Sequence, residues 1–160
     1  MSAVDLKTNT DFELALFIQN LYHEVQSLTY SDEDGDSKEN KFTEYVTEIL
    51  AEAGETEGVR TCSYIKETKL ENIQFKINGY ALEEGFENID IFISQYIDTN
   101  ESYRVSKPDF DKLVRWSTGF VNAGIKGFLD EIEPSSEAYG LAKILIQQRN
   151  EIFRIIIFIL

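Results

Sequence analysis

Cysteine is almost missing. Cys62 stands alone, so no internal disulfide can form, and a reducing cytoplasm is the simplest home for the chain. In an apolar strand with no histidine nearby in sequence, it reads as a small buried side chain. Histidine is equally scarce. His23 is the single one, on a helical segment without companion ligands, and no G-x-S-x-G occurs. Neither a zinc site nor a Ser-His hydrolase has support, and His23 reads as a surface or boundary residue. No G-x-G-x-x-G or Walker-type loop is present, so nothing argues for a nucleotide cofactor. "MSAVDLKTNTDFE" has no basic stretch followed by an apolar run and does not read as a signal peptide. The most apolar run, "IIIFIL" at 155–160, is far too short to span a bilayer and reads as a buried strand. Positive charge is also in deficit. Fifteen Lys and Arg against 29 Asp and Glu give a net charge of −14, which disfavours nucleic acid and anionic membrane as partners.

The 160 residues, 42% hydrophobic and 28% charged, suit one soluble globular domain with a real core. A single domain over 1–160 is expected. The chain stops inside its last strand with no polar tail, which suggests the leading fragment of something longer. The alternative is a C-terminal strand pairing in the middle of a sheet.

Residues 11–28 place Phe12, Leu16, Phe17, Leu21, Val25 and Leu28 at helical spacing, with Thr10 as cap and Glu13 as its capping-box partner. "TYSDEDGDSKEN" is a polar, acidic loop. A second helix is expected from about Lys41 to Ala53, with Phe42, Val46, Ile49, Leu50 and Ala53 on its apolar face and Gly54 as its stop. Strands follow at 59–65, 72–82 and 87–97, the last two joined by the turn "EEGFE". Along the third, Ile89, Ile91 and Ile93 point one way and Asp90, Phe92 and Ser94 the other. "SKPD" at 106–109 starts a third helix, with Ser106 as cap and Pro108 in the first turn; it carries Leu113, Trp116, Phe120, Val121, Phe128 and Leu129. After a break at Pro134, a fourth helix runs 135–150 from Ser135 or Ser136, and the Ile-rich strand at 152–160 closes the chain. A final strand reached through helices implies a crossover that lays it parallel to an earlier one. The fold class is α/β (α+β): a three-strand antiparallel meander flanked by helices, plus a last strand reached by a helical crossover.

Two signals carry chemistry. Asp32, Asp34 and Asp36 imitate a calcium loop, but position six is Ser37 instead of glycine and position twelve is Thr43 instead of glutamate, so a solvated acidic loop fits better. The hairpin "FKINGYALEEGFENIDIFISQY" at 75–96 is the second. The element order is similar to the core of the restriction-endonuclease-like fold. There an Asp on the second strand and an (Asp/Glu)-x-Lys on the third bind magnesium (Mg2+) and activate water. Laid on this chain, that pattern puts Asn78 in the Asp place, Ser94 in the acid place and Tyr96 in the Lys place, three departures. Glu44 matches an extra helix acid of some such nucleases, and Asp90 lies further back on the third strand; these two are the candidate metal ligands. The plainer reading makes "ING" a strand bend, with Gly79 permitting a bulge and Tyr80 and Tyr96 as core-edge aromatics.

"NKFTEYVTEILAEAGETEG" followed by the hairpin resembles the N-terminal region of abortive-infection phage-resistance proteins, the bacterial AIPR family. The marks are the helix ending in "EAGE", the "NGYAL" strand and the tail "EIFRIIIFIL"; together they cover roughly residues 11 to 160. The resemblance implies the leading domain of a cytoplasmic bacterial defence protein. Members in this neighbourhood are suspected nucleases, some with a clear Asp and a Gln-x-Lys on the hairpin, which this chain lacks. Three readings follow: a nuclease-like domain with a degenerate, inactive site and a binding or regulatory role; an active magnesium-dependent nuclease built on Glu44, Asn78 and Asp90; and a protein-interaction module. The partner expected is the C-terminal remainder of the full-length protein or another protein.

Overall fold

The computed structural model describes residues 3–32, 37–67 and 72–160. Four helices surround one four-stranded sheet: α1 (Ala3–Ser31), α2 (Lys38–Glu52), β1 (Arg60–Glu67), β2 (Ile73–Leu82), β3 (Asn88–Ile93), α3 (Lys107–Ile125), α4 (Tyr139–Gln147) and β4 (Arg154–Ile159). Strand order in space follows the sequence, β1-β2-β3-β4. The first three strands form an antiparallel meander, and β4 lies parallel to β3 from Asn88↔Arg154 to Ile93↔Ile159. The expected crossover is therefore present. Among the described residues β4 lies at the end of the strand order, not in the middle of the sheet.

Punctuation residues place the helix ends. Ser37 caps α2 by accepting from the Asn40 N–H, which starts the helix three residues before the expected Lys41. Gly54, at φ +77°, ends it, as expected of a left-handed stop. Ser106 caps α3 by accepting from the Asp109 N–H. α3 stops at Ile125, before the expected Phe128 and Leu129, and Gly127 at φ +78° turns the chain there. α4 begins only at Tyr139. Ser135 and Ser136 precede it in turns, and Ser136 Oγ accepts from the Ala138 N–H instead of capping the helix.

α1 departs furthest from expectation. It begins at Ala3, so Thr10 lies inside it and does not cap it; no glycine or proline before Gly35 interrupts the helix. Val25 is fully buried, but Phe12, Leu14, Leu16 and Phe17 are exposed, and beside them the segment 100–102 shares only an open cavity with Asp11, Leu14, Ala15 and Gln19.

α3 and α4 cover one face of the sheet. Ile77, Tyr80, Ile89 and Ile91 pack there with Phe120, Val121, Leu141 and Leu145. By strand alternation Asp90 points to the other face, and its Oδ2 accepts from Thr56, just past the end of α2. α2 therefore covers that second face. Contrary to expectation, its fully buried residues are Thr43 and Thr47, while Phe42, Val46, Ile49 and Leu50 are half-buried and Ala53 is exposed. Each threonine hydroxyl donates to the carbonyl one turn back, at Glu39 and Thr43, which lets a small polar side chain meet the sheet without an orphaned group.

A β-bulge interrupts β1. Between the pairs Thr61↔Gly79 and Tyr64↔Ile77, Cys62 and Ser63 stand opposite the single Asn78. The irregularity thus lies beside the expected Gly79, with the extra residue on β1. Gly79 itself is needed for close approach, since a Cβ there would come within 3.2 Å of the Arg60 carbonyl oxygen.

Two predictions follow from the packing. A Cβ on Gly124 would sit 2.5 Å from Leu145 Cδ1 and 3.0 Å from Leu145 Cβ. Ala in place of Gly gains up to about 1 kcal/mol of helix propensity, and overpacking costs about 1–3 kcal/mol. Gly124→Ala should therefore lower the urea midpoint of unfolding. Burial pushes the Cys62 thiol up to about 12. The native protein should resist thiol-disulfide reagents at pH 8 and react fully once unfolded, read by thiol titration.

Candidate functional site

Asn78 sits mid-strand in β2 and is buried. Its side chain cannot remain unpaired there, and both ends are used. Oδ1 accepts from the Ser94 N–H at 2.9 Å, and Nδ2 donates to Glu39 Oε1 at 3.0 Å. Lys76, two residues earlier, shares the face. Its Nζ reaches Glu39 Oε1 at 2.6 Å and donates to the Ser94 carbonyl at 2.8 Å. The Ser94 hydroxyl lies 2.7 Å from Thr43 Oγ1. Tyr96 N–H approaches Glu39 Oε2 at 3.4 Å. One buried polar network thus joins the first turns of α2, the middle of β2 and the chain leaving β3.

An outer ring continues from it. Tyr96 packs on Phe42, with ring centroids 5.5 Å apart, and its hydroxyl lies 3.3 Å from Asp98 Oδ1 and 3.4 Å from Gln26 Nε2. Burial, then the Asp98 carboxylate, raises the Tyr96 hydroxyl pKa. The hydrogen bond from Lys38, 2.6 Å from Asp98 Oδ2, holds the Asp98 carboxyl below its usual value.

The structure therefore brings together Asn78, Ser94 and Tyr96 of the expected positions. Glu44 and Asp90 have other hydrogen-bond partners. Lys41 pairs with Glu44 Oε2 at 3.2 Å and with Asp32 at 3.0 Å, and the Lys41 pKa is raised by those two bonds. Glu44 also lines a cavity of about 190 Å³ with Thr47, Glu48, Ala51, Val59 and Thr61. Asp90 takes its hydrogen bond from Thr56. Glu39 holds the helix position that faces the strands, and Glu44 lies five residues on, a rotation of about 140° around α2. His23 is exposed, against Tyr22 at 5.6 Å between ring centroids. Of the acidic loop weighed for calcium, Asp34 and Asp36 lie outside the described residues.

Sequence reasoning missed Glu39, Thr43 and Lys76. A lysine in the middle of "FKINGYAL" is the one signal that could have found them, since a charge in a central strand requires a carboxylate brought to it. Magnesium asks for several hard oxygen ligands. Here Asn78 Oδ1 is committed to a backbone N–H, Ser94 Oγ to Thr43 and Glu39 to Lys76. This donor set does not fit the ion. Among the described residues no three His, Cys, Asp or Glu side chains gather to hold a metal. No helix among them is long and apolar enough to cross a membrane.

Comparison with known proteins gives one finding. Residues 42–160 match the family model described as abortive infection phage resistance protein N-terminal domain. No curated protein and no solved structure matches the chain.

The Lys76 side chain is 9% exposed and that of Glu39 28%. Removing one partner of such a pair leaves the other charge stranded, at about 3–5 kcal/mol for full burial. Lys76→Met should destabilise the fold toward the lower end of that range, because Glu39 is partly solvated. The double variant Glu39→Gln/Lys76→Met should recover part of the loss in the same urea titration.

Proposed function

Since the chain belongs to the abortive infection phage resistance family through its N-terminal domain, we propose that it is a nuclease-like domain with a degenerate, catalytically silent site that serves a binding or regulatory role in phage defence. The meander followed by a helical crossover to a parallel strand supports the nuclease-like reading. One observation carries the silent-site reading: Asn78, where an ionised Asp would bind metal, is neutral and has both ends of its amide hydrogen-bonded to Ser94 and Glu39. The lysine of the network comes from β2, and Glu39 neutralises it, so it does not stand free to meet a phosphate. A net charge of −14 further disfavours a nucleic acid track. The partner this reading favours is protein, the remainder of the full-length chain or a separate factor. The cytoplasm as its place accords with a single cysteine that is buried and unpaired.

The rival reading, an active magnesium-dependent nuclease on Glu44, Asn78 and Asp90, needs those three groups around one ion. Their hydrogen bonds to Lys41, Ser94, Glu39 and Thr56 favour the silent site instead. Purified protein incubated with single- and double-stranded DNA and RNA in magnesium or manganese should leave all substrates intact on a denaturing gel. Metal-dependent cutting that disappears in a folded Asp90→Asn or Asn78→Ala variant would establish the rival.

A further inference from the structure

Nine asparagines occur in the chain, and Asn78 alone is followed by glycine. That dipeptide carries a reaction of its own. The Gly79 backbone nitrogen loses its proton and attacks Asn78 Cγ. A bond forms between them, the Cγ–Nδ2 bond breaks, and Nδ2 leaves as ammonia. Water then opens the five-membered imide. Opening at Cγ gives aspartate. Opening at the backbone carbonyl carbon gives isoaspartate, whose main chain runs through Cγ. The sum converts one amide and one water to one carboxyl group and one ammonia. Glycine favours ring closure, because it has no Cβ to crowd the attacking nitrogen and its backbone turns freely.

The fold holds this reaction off. Ring closure requires the Asn78 ψ to leave the extended range, and β2 fixes the residue in mid-strand. Gly79 is paired on both sides, to Thr61 and to Phe92. The leaving group is tied down as well, since Nδ2 donates to Glu39 Oε1 while Oδ1 accepts from the Ser94 N–H. Asn78 is 1% exposed, which shields Cγ from water. The guard has a weak side. Opposite Asn78 on β1 stand Cys62 and Ser63, at the bulge where the ladder is interrupted.

We propose that Asn78–Gly79 is a deamidation site, which the polar network keeps unreactive and which converts to aspartate or isoaspartate once α2 lifts and β1 parts from β2. Neither product rebuilds the network. Aspartate puts a charged oxygen where Nδ2 stood, 3.0 Å from Glu39 Oε1, and leaves Lys76 to serve two carboxylates. Isoaspartate adds a methylene to the main chain and puts the rest of β2 out of step with β1 and β3. Opening of this layer is thereby written into the covalent structure.

The full chain, incubated at pH 8 and mapped by mass spectrometry, gives the test. Unfolded in urea, Asn78 should gain one mass unit faster than any other asparagine, as a mixture of aspartate and isoaspartate, the latter counted by enzymatic methylation. Without urea the same conversion should be at least about tenfold slower, because only the open fraction reacts. Lys76→Met, which strands Glu39, should raise that native rate by about tenfold or more. Should this variant lose its fold, the unsubstituted protein in urea below its midpoint serves instead, with a rate that rises with the open fraction. Asn78→Asp should unfold at lower urea than the unsubstituted protein. An unchanged rate in folded Lys76→Met, or in urea below the midpoint, would overturn the proposal. So would a native rate equal to the unfolded one, aspartate without isoaspartate, or an Asn78→Asp midpoint as high as the original.

Discussion

Burying an ammonium group without a carboxylate costs several kcal/mol, and β2 presents Lys76 on the face where α2 must pack. That requirement fixes much of the second layer. Glu39 has to reach Lys76, so α2 has to begin early enough to carry Glu39 in its first turn, and Ser37 supplies the cap that makes this possible. Once Glu39 is seated, the helical repeat places Thr43 one turn on, at Ser94, with Thr47 a further turn along the same face. Larger side chains at those two positions would lift α2 off the sheet and break the ion pair. The threonines are thus a consequence of the lysine.

The same interaction limits the chemistry available. A hydrolytic metal centre keeps its carboxylates free to bind an ion, with positive charge turned toward the substrate. Here the carboxylate and the lysine neutralise each other, and Asn78 ties the middle of β2 to Ser94, just past the end of β3. The network acts as a clamp between α2 and the β2–β3 pair. The arrangement stabilises the packing of α2 on the sheet, and the silent, binding role proposed for the domain rests on the same bonds.

Features with local causes were legible in the sequence. Ser106, Pro108 and Asp109 mark the start of α3 through short-range sterics and one side-chain bond, and Gly54 ends α2 through its φ value alone. The element order forced a parallel β4. The polar network was only half legible, because Asn78, Ser94 and Tyr96 stand out on the hairpin while Glu39 joins them across 39 residues of chain from Asn78. Glu44 was the helix acid suggested by pattern, but pattern does not say which face of α2 meets the sheet. Threonine reads as solvent-facing until its hydroxyl is paired along the helix. A run of isoleucines says that a strand is apolar, and it does not distinguish a sheet's centre from its rim.

α1 has a mechanical consequence of its own. Twenty-nine residues make a rod about 44 Å long, seated on the domain around Val25 and uncovered from Asp11 to Phe17. With about 20 Å between Val25 and Asp11, a tilt of about 10° at the seat swings the tip by roughly 4 Å. The Gln26 and Lys38 bonds to Asp98 lie close to that pivot. Over that lever arm a small change of angle at the seat is magnified several-fold at Phe12.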